Sequence, residues 1–242
     1  MCDRWLTAIN SSELSGALFL DLSKAFDLVN HTILLKKLKL YLKGSQTLLF
    51  FMSYLHNRTQ RVLINGSYSY EDTVQCGVPQ GSVLGPILFC LYVNDLPLHI
   101  TNSSVECHML ADDTTLQTRG KTESEIQIKL QQSIKEVSSW CKNNHMVLNP
   151  IKSKSMLITT RQKHQLRPLR LHLTINGKSV DQVAHHKLLG VHIDNTLQWH
   201  THIEHLCKTI SKKVYLLSRL QLIITLDARK LFYNAHIKPH LD

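Results

Sequence analysis

The sequence predicts an α+β fold, with an antiparallel sheet carrying helices on one face. Three observations predict it. Of the 242 residues, 43% are hydrophobic and 19% charged, enough apolar chain for a buried core and too much for an intrinsically disordered one. Strand and helix patterns interleave without the regular strand–helix–strand rhythm of a parallel sheet. Strand-like runs also face each other across short turns, at Asn65-Gly66 and at Ala111-Asp112-Asp113.

In chain order, residues 17–22 form a short apolar run that ends in an acid, which reads as a buried strand. Residues 31–42 carry Ile33, Leu34, Leu38 and Leu42 at helical spacing, with Gly44 as the stop. A second apolar helix is expected over 47–55. Residues 61–65 and 69–74 flank Asn65-Gly66 as a hairpin. Residues 77–86 make a loop punctuated by Gly and Pro, followed by a helix that Pro97 stops near residue 95. Strands are expected over 105–110 and 114–118. Thr122 and Glu125 form a capping box, opening a helix with Ile126, Leu130, Ile134, Val137 and Cys141 on one face. Strand-like runs follow at 155–160, 171–175 and 188–193, then amphipathic basic helices over 200–222 and 227–237. The expected seam lies between residues 160 and 171, where Arg161, Lys163, Arg167, Pro168 and Arg170 crowd together. It divides the chain into 1–165 and 166–242.

The net charge is +10, but it is not evenly spread. Up to Gly120 there are 9 Lys and Arg against 10 Asp and Glu, and from Lys121 onward 19 against 8. The halves therefore carry −1 and +11, and the second suits an anionic partner. The start of the chain has no apolar segment of the signal-peptide kind, and the strongest apolar run, 83–93, is broken by Gly85 and Pro86 and too short to span a bilayer. The six cysteines are far apart with no Cys-x-x-Cys, and read as reduced, mostly buried thiols of an intracellular protein. His200, His202 and His205 read as surface histidines, because 200 and 202 cannot share a helix face.

Two features carry chemistry. Asp21 ends a buried strand, and Asp112-Asp113 sit in a tight turn after another. The pair alone also reads as an ordinary hairpin turn, where Asp is common. Several carboxylates held together need neutralising, and Mg²⁺, a hard cation shared with substrate phosphates, answers that need. Two such ions clamp the attacking and leaving oxygens of a phosphoryl transfer.

Context decides between these readings. Asp21-Leu-Ser-Lys-Ala-Phe-Asp, Gly77-Val-Pro-Gln-Gly-Ser-Val-Leu-Gly-Pro and Ala111-Asp-Asp-Thr stand in that order. They resemble motifs A, B and C of the reverse transcriptase palm, in particular that of LINE-type (non-LTR) retrotransposons. Val147-Leu-Asn-Pro-Ile-Lys-Ser-Lys resembles motif D, Lys187-Leu-Leu-Gly-Val-His-Ile-Asp the primer-gripping hairpin, and Ala228-Arg-Lys-Leu-Phe-Tyr part of the thumb. The resemblance runs from about residue 3 to residue 242.

The resemblance implies a right-hand polymerase palm plus a partial helical thumb, with the fingers mostly absent. It implies an RNA-directed DNA polymerase with an RNA template, a DNA primer and dNTPs as partners. Asp21, Asp112 and Asp113 become ligands of two Mg²⁺ ions, with Mn²⁺ as the alternative ion, and the Leu22 carbonyl lies near the nucleotide-side ion. Phe26 falls where the family places its sugar gate, and Asp27, which follows it as in the family, reads as structural. Gln80 and Gly81 match the residues that contact template and nucleotide. Lys152 matches the motif D proton donor, with Lys154 competing. Lys208, Lys212, Lys213 and Arg219 would grip the duplex backbone.

Two departures qualify the match. Leu110 stands where the family usually has an aromatic residue, and leucine is expected to fill the same apolar space. Asp21 comes almost at once, so most of the fingers and the endonuclease segments on which activity depends are expected to be missing. The alternative is a truncated, inactive nucleic-acid-binding remnant of the same domain. An unrelated Mg²⁺-dependent nuclease or phosphatase leaves the Pro-Gln-Gly loop and Phe26 unexplained. No membrane role is expected, and a nuclear location follows only from the family's way of life.

Overall fold

Strand β1 (Leu14–Leu20) organises the chain, and all seven of its residues are buried. The computed structural model in which it is seen describes residues 1–42, 44–166 and 169–241. Arg167 and Pro168 of the expected seam lie outside these, as does Asp242. The described residues form two compact units, Met1–Val183 and Ala184–Asp242.

In the first unit β1 is one of six strands, in the order β6-β7-β1-β8-β10-β9. Its neighbours are β7 (Asp113–Gly120) and β8 (Lys154–Ile158), both antiparallel to it. Strand β6 (Val105–Leu110) pairs with β7 at one edge. At the other, β9 (Leu173–Ile175) and β10 (Lys178–Gln182) pair through the Asn176-Gly177 turn. The β10–β8 pair is parallel, so the sheet is mixed rather than wholly antiparallel. Because β9 and β10 hydrogen-bond into this sheet, the first unit runs past the expected division at 165/166.

Side chains alternate across a strand, so Gly16, Leu18 and Leu20 share a face. Helix α5 (Glu123–Asn143) covers it, burying Ile126, Leu130, Ile134, Val137 and Trp140. It approaches so closely that a Cβ on Gly16 would lie 2.2 Å from Ile126 Cγ2. Thr122 caps α5 by accepting from the Glu125 N–H at 3.3 Å. The return bond of the expected box goes to the Lys121 N–H, not to Thr122, at 2.9 Å. The opposite face of β1 is covered too. Helix α1 (Cys2–Asn10), absent from the sequence reading, buries Trp5 and Ala8, and Trp5 lines a cavity with Ser15 and Gln117. Helices therefore occupy both faces.

Helices α2 (His31–Tyr41), α3 (Ser45–Leu55) and α4 (Leu84–Val93) complete the core. Asn30 caps α2, accepting from the Ile33 N–H at 3.0 Å. One polar knot ties α2, α4 and α5. Lys37 donates to Asp95 Oδ1 and to the Tyr92 carbonyl, both at 2.6 Å, and its ammonium lies 4.9 Å from the ring centroids of Tyr92 and Trp140. Trp140 Nε1 donates to the same Asp95 oxygen at 3.1 Å. Burial lowers the Lys37 pKa against the pull of Asp95, and pushes the Tyr92 phenol up to about 12.

The expected 61–74 hairpin is reduced to two short ribbons. Strand β2 (Thr59–Gln60) pairs with β5 (Asp72–Thr73), and β3 (Leu63–Ile64) with β4 (Ser67–Tyr68) across Asn65-Gly66. A short helix α6 (Arg161–Leu166) follows β8.

In the second unit the run 188–193 is not one strand. It turns at Leu189-Gly190, giving a hairpin of β11 (His185–Leu188) and β12 (Val191–Asp194). Helices α7 (His200–Leu220) and α8 (Leu226–His236) follow, with no residue buried in either.

Candidate active site

The three acids meet at one end of β1. Register pairs Leu20 with Thr114 and Leu110 with Asp113, so Asp21 emerges beside the β6–β7 turn that carries Asp112 and Asp113. Ala111 takes the corner of that turn at φ +53°, a conformation that costs a non-glycine residue strain. Burial raises the Asp113 pKa, and the charges of Asp112 and Asp21 raise it further. Such mutual repulsion requires the three carboxylates to share one field. Asp21 Oδ2 is buried with no hydrogen-bond partner, an arrangement that invites a cation. In this conformation no three His, Cys, Asp or Glu side chains among the described residues are disposed to hold a metal ion.

The segment 147–153 fixes Asp21 from behind. Its N–H donates to Ser153 Oγ at 3.1 Å, and its carbonyl accepts from the Asn149 N–H at 2.8 Å. Ser23 donates to the Val147 carbonyl at 2.8 Å. These three bonds flank Leu22, so none of them uses its carbonyl. Ser153 is fully buried and was missed by the sequence reading, since a serine between two lysines carries no signal of burial.

The loop at residues 77–81 is laced to the segment after Asp21. Val78 donates to the Phe26 carbonyl at 2.9 Å, Gly77 to the Val29 carbonyl at 2.8 Å, and His31 Nε2 bonds the Gly77 carbonyl at 2.7 Å. Phe26 is half-buried and stacks on Phe89 of α4, with ring centroids 4.4 Å apart. Gln80 Nε2 donates to Asp27 Oδ1 at 2.9 Å. Gly81 has φ +79° with open space where a Cβ would stand, so its backbone conformation, not crowding, calls for glycine. Leu110 does not fill an apolar space, being 60% exposed.

The lysines separate. Lys154 is committed, donating at 2.7 Å to both Asp181 Oδ2 and the Ile151 carbonyl. Lys152 is exposed and its ammonium has no ion-pair partner among the described residues. In the second unit Lys208, Lys212 and Arg219 are exposed along α7, whereas Lys213 is half-buried and bonds His240.

Sequence reading also missed two features of the second unit. Asp194 is buried, and both its oxygens accept bonds, from Thr196, Gln198 and Trp199, tying β12 to the start of α7. Burial would push its carboxyl up, but those bonds outweigh burial and hold it below the ordinary 3.8. His192 of β12 lies against His202 and His205 of α7, with centroids 6.3 and 5.0 Å away. Only the fold brings the strand histidine to the helix pair. Three of the six cysteines, Cys76, Cys90 and Cys207, are exposed, so the thiols are less buried than expected, though all six are free. No helix among the described residues is long and apolar enough to cross a membrane.

Comparison with known proteins gives one answer. A model of the reverse transcriptase (RNA-dependent DNA polymerase) family matches residues 6–193. The probable RNA-directed DNA polymerase from transposon X-element of Drosophila melanogaster is 32% identical over 86% of this chain and 23% of its own length. That from transposon BS of the same fly is 29% identical over 97% of the chain and 26% of its own length. The chain thus spans about a quarter of the curated relatives it matches. Apo telomerase from Candida tropicalis, truncated from its C-terminal domain, shares the fold at a TM-score of 0.55, with 16% identity over 81% of this chain and 38% of that one. The chain belongs to the reverse transcriptase family, on the branch of the non-LTR retrotransposon RNA-directed DNA polymerases.

Proposed function

We propose that this chain is the palm and part of the thumb of an RNA-directed DNA polymerase that adds dNTPs to a primer 3′-hydroxyl against an RNA template. The observation that carries the reading is the meeting of Asp21, Asp112 and Asp113 at one sheet end, with Asp113 raised by burial and by the other two charges. Asp21, with its buried unpartnered oxygen, and Asp112 would hold two Mg²⁺ ions, with Asp113 in support and the Leu22 carbonyl near the nucleotide-side ion. When bound, the ions supply a more acidic 3′-hydroxyl and charge neutralisation at the triphosphate.

The chain's own groups do the rest. The motif D turn holds Asp21 in place through Ser153 and Asn149. Phe26, braced by Phe89, narrows the sugar site against a 2′-hydroxyl. Gln80 and Gly81 meet the nucleotide and template. Lys152 delivers the proton to the departing pyrophosphate, since Lys154 is bound to Asp181. Lys208, Lys212 and Arg219 contact the duplex backbone, and Lys213 joins them once released from His240.

Primer extension on an RNA template with Mg²⁺ and dNTPs tests the reading. Wild type is expected to extend and Asp112→Ala to lose extension by at least about a hundredfold; equal incorporation would sink it. A second reading, a non-catalytic nucleic-acid-binding remnant, is favoured by the lack of a set of three disposed ligands among the described residues and by the small exposed ribbons. It predicts no extension from either protein, but RNA–DNA binding that weakens with salt.

A further inference from the structure

We infer that Asp27 is a positioning residue that sets the amide of Gln80, so that Gln80 Oε1 is the hydrogen-bond acceptor offered to the incoming nucleotide or its template partner. This rests on the polymerase reading and deepens it. Gln80 Nε2 donates to Asp27 Oδ1 at 2.9 Å. A glutamine amide has a donor end and an acceptor end of nearly equal size, and on a surface it turns freely between them. An ionised carboxylate only accepts, so only the NH₂ end can face Asp27, and Oε1 must turn away from it. A neutral partner such as asparagine would satisfy either end.

A lone exposed pair would be weak, but neither partner here rides on a loose backbone. Residues 26–31 and 77–78 are joined by three bonds, Val78 to Phe26, Gly77 to Val29 and His31 to Gly77. The two segments touch so closely that a Cβ on Gly77 would sit 2.9 Å from the Asp27 carbonyl oxygen. Asp27 and Gln80 also line the same cavity of about 750 Å³. Asp27 Oδ1 is engaged by the Gln80 amide, so its positioning role is exerted through that bond.

The test uses the full chain. In ¹⁵N-labelled protein the Gln80 side-chain amide resonances are expected to move to the free-glutamine position in Asp27→Leu; an unmoved pair overturns the inference, whatever the activity. In primer extension, Asp27→Leu is expected to raise the dNTP KM about 3- to 10-fold with kcat within about twofold. Gln80→Glu, facing Asp27, is expected to repel it and lose more. D27N/Q80E restores a donor at 27 and an acceptor at 80, so its KM should return toward wild type. A double variant no better than Q80E, or an unchanged KM in Asp27→Leu, overturns the inference while leaving the polymerase reading intact. If wild type itself fails to extend, the polymerase reading fails for this chain and the amide measurement alone decides the pair.

Discussion

Gly77→Ala separates two sources of strain that usually come together. Gly77 has φ +90°, and a Cβ there would stand 2.9 Å from the Asp27 carbonyl oxygen, 3.1 Å from its Cα and 3.3 Å from its carbonyl carbon. All three are backbone atoms, held by the bonds to Val29 and Phe26, so no side chain can swing aside. The left-handed conformation costs an alanine about 1–2 kcal/mol, and overpacking against fixed atoms about 1–3 kcal/mol more. The sum is about 2–5 kcal/mol. Gly66→Ala is the matched control, because its φ is +81° and nothing lies within 4 Å. It carries only the conformational part, about 1–2 kcal/mol. Urea unfolding measures both in a Trp199→Phe background, so that fluorescence comes from Trp5 and Trp140 of the first unit. Equal losses at the two positions would refute the packing argument. A large loss at Gly66 would refute the strain argument.

Gly16→Ala should cost about 1–3 kcal/mol through its clash with Ile126, and G16A/I126A should cost less than the two single changes added, in the same urea assay. Lys37→Met strips Asp95 of its cation and should cost about 2–3 kcal/mol; K37M/D95N should recover part of that, since a neutral amide still accepts from Trp140. Asp194→Ala leaves four donors unsatisfied at the β12–α7 corner and should cost about 2–4 kcal/mol, read by Trp199 fluorescence. Because the folded Asp194 lies below the ordinary 3.8, its contribution is full above that value and fades as pH falls through the folded pKa. Acid titration of wild type against Asp194→Ala should show the difference shrinking only below about pH 4.

Sequence legibility followed the physics of each element. Helices α2, α4 and α5 were readable because several turns of apolar residues repeat at one spacing, and chemistry requires the acids at strand ends. Strand β10 was not readable, since Lys178–Gln182 is polar with only Val180 well buried. It is a strand because β8 and β9 offer it partners, which is tertiary information. Periodicity alone reads 188–193 as one strand, because Leu188-Leu189-Gly190-Val191 is nearly continuous apolar sequence, whereas the resemblance of 187–194 to a primer-gripping hairpin implies the turn that β11 and β12 make. That turn places Leu189 at φ +50°, which no propensity would assign to leucine. Leu110 misled in the opposite sense. An apolar residue at the end of a strand suggested packing, but the β6–β7 hairpin projects beyond the core there.

The site's dependence on particular parts of the chain follows from where its bonds converge. The segment from Leu20 to His31 receives the sheet register from β7, the Ser153 and Asn149 contacts of motif D, and the Phe26, Val29 and His31 contacts of motif B. Each of these partners is anchored in the first unit, through α4, α5 or the sheet. The ribbons β2–β5 contribute two-residue pairings with every residue exposed. The three acids and Gln80 are therefore held in register by the sheet and by this one segment, not by the ribbons. The placement of the acids is thus local to a few bonded segments of the first unit. Perturbing Ser153 should accordingly disturb the acids more than removing the tip from Leu63 to Tyr68.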